Sequence, residues 1–371
     1  MKKLTALIAI LLAFGAFQAQ ALKTLYPFVN QDKVGFIDSS GKIVIPATYE
    51  TDASTEIALK DNDNIPSFDN LDDLRFQEGR VMIPIVKKSK FFGIFNITQD
   101  EYNIVVADDG TTVSNLGMEE VGEFKNGLAP AKMPRLTYNY DSDCNYGFVD
   151  VDMKMVIEPE YTYAAEFSDG MALVLRDDLY GYINNKGETL IEHKYRDANN
   201  FSDGLAAVLI GFKLGYINKA GDQVIDAKFD VAGQFKHGTA RVYTNGGYRF
   251  IDKKGNYINS EVYDSASDFC CGLASVMKNG KYGYIDPSGK TVIPMQYVDA
   301  GSFGCGLAKV KQDGKWGFIN RSGEFVISPR YDFCRDFNCN MAIVWDQGDV
   351  KYINNSGKDI FTFHSYEIEE I

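Results

Sequence analysis

A motif that returns every 34 residues constrains this chain more than any other feature. An aromatic-Gly-aromatic-aliphatic tetrad recurs as Tyr146-Gly147-Phe148-Val149, Tyr180-Gly181-Tyr182-Ile183, Leu214-Gly215-Tyr216-Ile217, Tyr282-Gly283-Tyr284-Ile285 and Trp316-Gly317-Phe318-Ile319. Tyr248-Arg249-Phe250-Ile251 fills the missing step, and Val350-Lys351-Tyr352-Ile353 extends the register. Earlier, offset copies are Val34-Gly35-Phe36-Ile37 and the weaker Phe92-Gly93-Ile94-Phe95. A second ladder, Phe167, Phe201, Phe235, Phe269, Phe303 and Phe337, is followed three residues later by glycine until Asn340 breaks the rule. A chain that repeats itself at this period stacks copies of one small unit, each burying a face that it could not bury alone.

The unit is read as three β-strands. A 34-residue period also suits paired helices, but the apolar runs here are short, rich in Val, Ile, Tyr and Phe, and cut by Gly or Asn. In one copy the strands are Leu205 to Val208, Leu214 to Asn218 and Gln223 to Ile225. The second turn always opens with Asp or Asn: Asp38, Asp150, Asn184, Asn218, Asp252, Asp286, Asn320 and Asn354. An Asx side chain starts a turn by accepting a backbone hydrogen bond, and the following Gly supplies a positive φ, so these carboxylates are turn formers rather than catalysts. The glycine inside the second strand marks a bulge or a close backbone approach.

These residues resemble the WG-repeat family, named for its Trp-Gly pair. The nearest copy is Lys315-Trp316-Gly317-Phe318-Ile319-Asn320, continued by Gly323, Val326-Ile327, Pro329, Tyr331-Asp332 and Phe337. The likeness runs from about Leu25 to Phe361, although most copies carry Tyr in place of Trp. The resemblance implies an interaction or surface-associated repeat protein with no assigned chemistry.

The expected architecture is all-β. Nine tandem three-stranded units stack as an open superhelical or solenoid array, with a propeller-like closed ring as the alternative. The divisions are a signal peptide over 1–21, divergent repeats with acidic insertions over 22–145, regular repeats over 146–363 and a tail over 364–371. Met1-Lys2-Lys3, the apolar stretch from Leu7 to Phe17 and Ala19-Gln20-Ala21 form the signal pattern, with a mature start near Leu22. Export to the periplasm or cell surface follows, with no membrane span after cleavage. Loss of Lys2 and Lys3 takes the formal charge from −13 to −15. An acidic chain repels nucleic acid, which is excluded as a partner.

No catalytic, cofactor or metal site is expected. Gly283 to Thr291 imitates a phosphate loop but has one residue too many between its glycines and lies in a hairpin. Asp141 to Asn145 and Asp61 to Asn64 lack the Gly and Glu of a calcium loop. Three histidines and no Cys-x-x-Cys leave zinc poorly supported. Two ladders are worth following. Tyr146, Tyr180, Tyr248, Tyr282 and Trp316 are either core or a row of rings for stacking on sugars. Cys271, Cys305 and Cys339, one period apart, are expected to form a column with at least one disulfide between units, although buried thiols are the alternative. The irregular stretches from Thr51 to Asp73 and Leu136 to Asn145 read as insertion loops that either bind a partner or are decayed repeat. The functional expectation is a non-enzymatic binding or scaffold protein of the cell envelope with a protein or envelope partner, and a peptidoglycan-binding module as the alternative.

Overall fold

A computed structural model describes residues 25–30, 33–50, 80–91, 95–107, 112–113, 118, 120–133, 146–338 and 340–363. The signal segment, the insertions at 51–73 and 136–145, the tail, Cys144 and Cys339 lie outside them. The described residues form nine antiparallel sheets, each a meander in chain order. This is the all-β tandem array of nine units read from the repeat.

The central unit shows how sequence becomes structure. Its strands are Leu205–Ile210, Lys213–Asn218 and Gln223–Phe229, each reaching further than the apolar run that announces it. Five of the sheets add a fourth, two-residue strand at the front, such as Tyr163–Ala164. The turn before the third strand is built as its Asx residue dictates. Asn218 Oδ1 accepts from the backbone N–H of Ala220 and of Asp222, both at 3.0 Å. All eight Asx positions repeat this pair of bonds, from Asp38 to Asn354.

The strand glycine has the second of its two expected causes and the first beside it. A Cβ at Gly215 would lie 2.7 Å from the Ile225 carbonyl oxygen and 2.8 Å from Ala227 N. The third strand is bulged there: its register slips between the pairs Leu214–Phe229 and Tyr216–Ile225. The bulge pushes the Ile225 carbonyl into the space where a side chain would stand, so only hydrogen fits.

The core lies between successive sheets rather than within one. One cluster joins Leu173, Tyr182, Ile191 and Tyr195 to Phe201, Val208 and Ile217 of the next unit. The Phe ladder forms the hinge of each contact. Tyr182 meets Phe201 edge-on at 4.7 Å between ring centroids, Tyr216 meets Phe235 at 4.8 Å, and Phe318 meets Phe337 at 4.8 Å. The tyrosine hydroxyls are not stranded: Tyr182 donates to Asn199 O and Tyr216 to Gly233 O, both at 2.8 Å. Burial pushes both phenols well above their ordinary pKa, so they stay neutral donors.

From unit to unit the array is solenoid-like, and its two ends meet. The turn at Gly357 rests on the Ile327 side chain of the preceding unit, and the turn at Gly41 lies against the Ile360 carbonyl and side chain of the last. Tyr352, the counterpart of Tyr182 and Tyr216, donates to Pro27 O of the first strand at 3.0 Å. Tyr26 packs edge-on against Tyr352 at 5.9 Å, donates to Asn338 O and accepts from Asn340 N. The contact between ends is the feature that the ring alternative anticipates.

Candidate interaction surface

Three families of side chains recur at fixed positions and reach the surface. The first is the aromatic ladder before each strand glycine. Tyr146, Tyr180, Tyr248 and Tyr282 are half-buried and packed against the inter-sheet clusters, while Trp316 is buried within one. The rings do not face each other as one flat row. Tyr163 intervenes between Tyr146 and Tyr180, at 6.1 and 6.5 Å. Cations cover two others: the Arg241 guanidinium lies 5.2 Å above Tyr248, and Lys309 and Lys311 lie over Trp316.

The second family escaped sequence reasoning. In the third strand of five of the regular units a Val-Ile or Leu-Ile pair looks like one continuous buried run. Strand alternation instead sends the two residues to opposite faces. Ile191, Ile225, Ile293 and Ile327 are buried, whereas their predecessors Leu190, Val224, Val292 and Val326 are 39 to 48% exposed. Val156 continues the line. The signal was available as a period-2 pattern within a period-34 repeat, but two adjacent aliphatics mask it. A separate exposed apolar side chain is Phe212, 97% accessible at a hairpin tip, where sister tips carry Asp177-Asp178, Asn245-Gly246 or Asp313-Gly314.

The third family is the two-residue turn that follows each ladder phenylalanine. Its first residue is Asp169, Asp203, His237, Cys271 or Cys305, all held at positive φ. Asp169 Oδ2 accepts from Gly204 N at 2.6 Å, and Asp203 Oδ2 from Gly238 N at 2.7 Å, so each of these turns is bonded to the next. Of the expected thiol column, Cys271 and Cys305 occupy this turn position in adjacent units, both exposed, and Cys339 lies outside the described residues. No disulfide joins Cys270, Cys271, Cys305 and Cys334 to one another. Cys334 is buried, and burial pushes its thiol far up. Among the described residues no three His, Cys, Asp or Glu side chains converge as a ready metal set, and the aspartates of the Asx turns are committed to backbone N–H groups.

The geometry above is that of a known repeat. The model described as the WG containing repeat matches residues 35–51, 146–180, 180–211, 215–248, 248–282, 282–316 and 316–344, more than half of the chain. The chain belongs to the WG-repeat family. Among solved structures, a WG-repeat array of this length has a fold relative described as the crystal structure of the eukaryotic initiation factor. It covers 93% of this chain and 96% of its own at TM-score 0.61, with 11% identity. That likeness is one of fold. Hsv2p of Kluyveromyces lactis overlaps 63% of this chain and 92% of its own, but only at TM-score 0.37 and 8% identity. No curated protein matches the chain.

Proposed function

We propose that this WG-repeat protein is a non-enzymatic binding or scaffold protein of the cell envelope, and that a protein is its partner. The repeat scaffold itself is shown by the family match and the nine stacked sheets. What supports binding is the set of exposed aliphatic residues Val156, Leu190, Val224, Val292 and Val326 at one position of five units, interrupted by the partly buried Ile258 between Val224 and Val292. Solvent-facing strand positions favour polar residues, so an apolar residue kept there in five units fits a surface that is covered in use. Stacking makes such a line long, and a long line suits an extended partner better than a small substrate. Export rests on Met1-Lys2-Lys3, the apolar stretch after it and Ala19-Gln20-Ala21.

The test compares the wild-type chain with Leu190→Lys/Val224→Lys/Val292→Lys in capture from an envelope extract and in binding to purified peptidoglycan. The expected result is a specific envelope protein retained by the wild type and lost by the variant, whose β circular-dichroism spectrum is unchanged. Equal retention by both removes the aliphatic line from the account. Saturable sugar binding that Tyr180→Ala, at a half-buried ring of the ladder, abolishes without unfolding supports the peptidoglycan reading instead, and turnover of an envelope substrate by the purified chain contradicts both.

A further inference from the structure

The turn at Cys270-Cys271 differs from its sisters in what its side chains do. In two sister units this pair is Ser168-Asp169 and Ser202-Asp203, and both members are engaged; in the two units flanking the cysteine pair it is Lys236-His237 and Gly304-Cys305. Ser168 Oγ donates to Phe201 O at 2.6 Å and Ser202 Oγ to Phe235 O at 2.7 Å, while the aspartates accept from the next turn. At 270–271 two sulfurs stand where each of those turns has one serine and one aspartate oxygen engaged, and they meet each other at 3.7 Å. Neighbouring residues of an extended strand point to opposite faces. Here the two-residue hairpin prevents that. Cys270 N donates to Leu273 O at 2.9 Å, Leu273 N to Cys270 O at 3.1 Å, and Cys271 sits in the left-handed region at φ 53°. The turn thus holds two adjacent thiols on one side of the chain.

We propose that Cys270 and Cys271 form a chelating site for a borderline-to-soft divalent cation of the zinc and cadmium type. A tetrahedral metal about 2.3 Å from each of two thiolates sets the sulfurs roughly 3.8 Å apart, which the turn already provides. A disulfide requires about 2.05 Å, so bridging the pair demands that the turn rearrange, whereas chelation does not. Cys271 is exposed and Cys270 half-buried, which leaves an entry path and open coordination positions for water. On binding, each thiol releases one proton to solvent and its sulfur lone pair forms the metal–sulfur bond, so one dication displaces two protons. Burial and the adjacent Cys271 thiol hold the Cys270 thiol above its ordinary range, with Lys236 acting the other way, so the metal–sulfur bonds and not the local charge drive the displacement of the protons. His237 and Cys305 occupy the equivalent turn position one unit to either side.

Titration of the full-length, fully reduced chain with cadmium under anaerobic conditions tests the site. The expected result is a thiolate-to-cadmium charge-transfer absorption that saturates with release of two protons per bound ion. Cys271→Ser weakens binding at least about tenfold, while Cys305→Ser and Cys334→Ala leave it in place. A second variant, with Cys144, Cys305, Cys334 and Cys339 all replaced by Ala, keeps only the proposed pair and still binds if its β spectrum is native. Absence of the band in the wild type overturns the proposal. So does an undiminished band in Cys271→Ser, or a folded four-alanine variant that binds no cadmium. Should the four-alanine variant not fold, the single substitutions decide.

Discussion

Two glycines show the two demands that this chain makes of the residue, one at a time, and substitution separates them. Gly283 has a φ available to any residue, but a Cβ there would stand 2.5 Å from the Ile293 carbonyl oxygen and 2.7 Å from Met295 N. Gly314 has open space around it but a φ of 81°. Gly283→Ala must move backbone in two strands and is expected to cost about 1–3 kcal/mol in urea unfolding. Gly314→Ala meets only the left-handed penalty, about 1–2 kcal/mol at most. Equal, near-zero costs contradict the account of the bulge. The Asx turns carry a pH signature at the same scale. The Ser288 hydroxyl, donating to Asp286, heads the interactions that hold its carboxyl below the ordinary range. A carboxylate with a depressed folded pKa contributes stability above its unfolded pKa, and that contribution fades as pH falls through the folded value. The group is almost fully exposed, so the effect is small. Asp286→Asn, the residue that four sister turns already use, is expected to flatten the acid limb of thermal stability slightly while leaving the neutral melt unchanged; a steeper acid limb contradicts it. These turns were legible in the sequence because Asx and Gly act on their own backbone. The exposure of Val292 was not legible, because it depends on which face the sheet turns toward its neighbour.

At the scale of the element, the three main strands were legible and the fourth was not. Tyr163–Ala164 and its counterparts are two residues long, too short for any period to show. They are defined by their pairing with the long strand behind them, as Ala164 with Val174. The third strands end the sheets, and edges invite unwanted pairing. Pro159, Pro294 and Pro329 lie in three of them and withhold a backbone donor there. The Phe ladder ties neighbouring elements together. Phe235 is fully buried against Tyr216 and joins Leu205, Ile225, Val242 and Ile251 across two sheets. Phe235→Ala is expected to cost about 3–5 kcal/mol. Because each unit touches only its neighbours, hydrogen exchange should rise most in the strands Lys213–Asn218 and Thr239–Thr244, and least in the distant Lys315–Ile319. A uniform loss of protection across all units contradicts nearest-neighbour stacking.

At the scale of the whole molecule, the repeat specifies the step from one unit to the next but not the sum of those steps. A small rotation per unit decides whether nine units run on or come round, and no residue in the consensus encodes it. The contact between ends is carried by Tyr26, Pro27 and Ile360 of the terminal units together with Tyr352, which stands at a consensus position. It closes the core at both ends of the chain and removes two free sheet faces. A distance measurement between site-specific spin labels tests this most directly, using label chemistry that spares the native cysteines. Positions 42 and 358 follow the turn glycines of the first and last units, and positions 324 and 358 are the matching pair on adjacent units. The structure predicts that the 42–358 separation resembles the 324–358 separation. A straight stack of nine sheets spaced about 10 Å apart would instead place 42 and 358 roughly 80 Å apart, and a separation of that order would contradict the account.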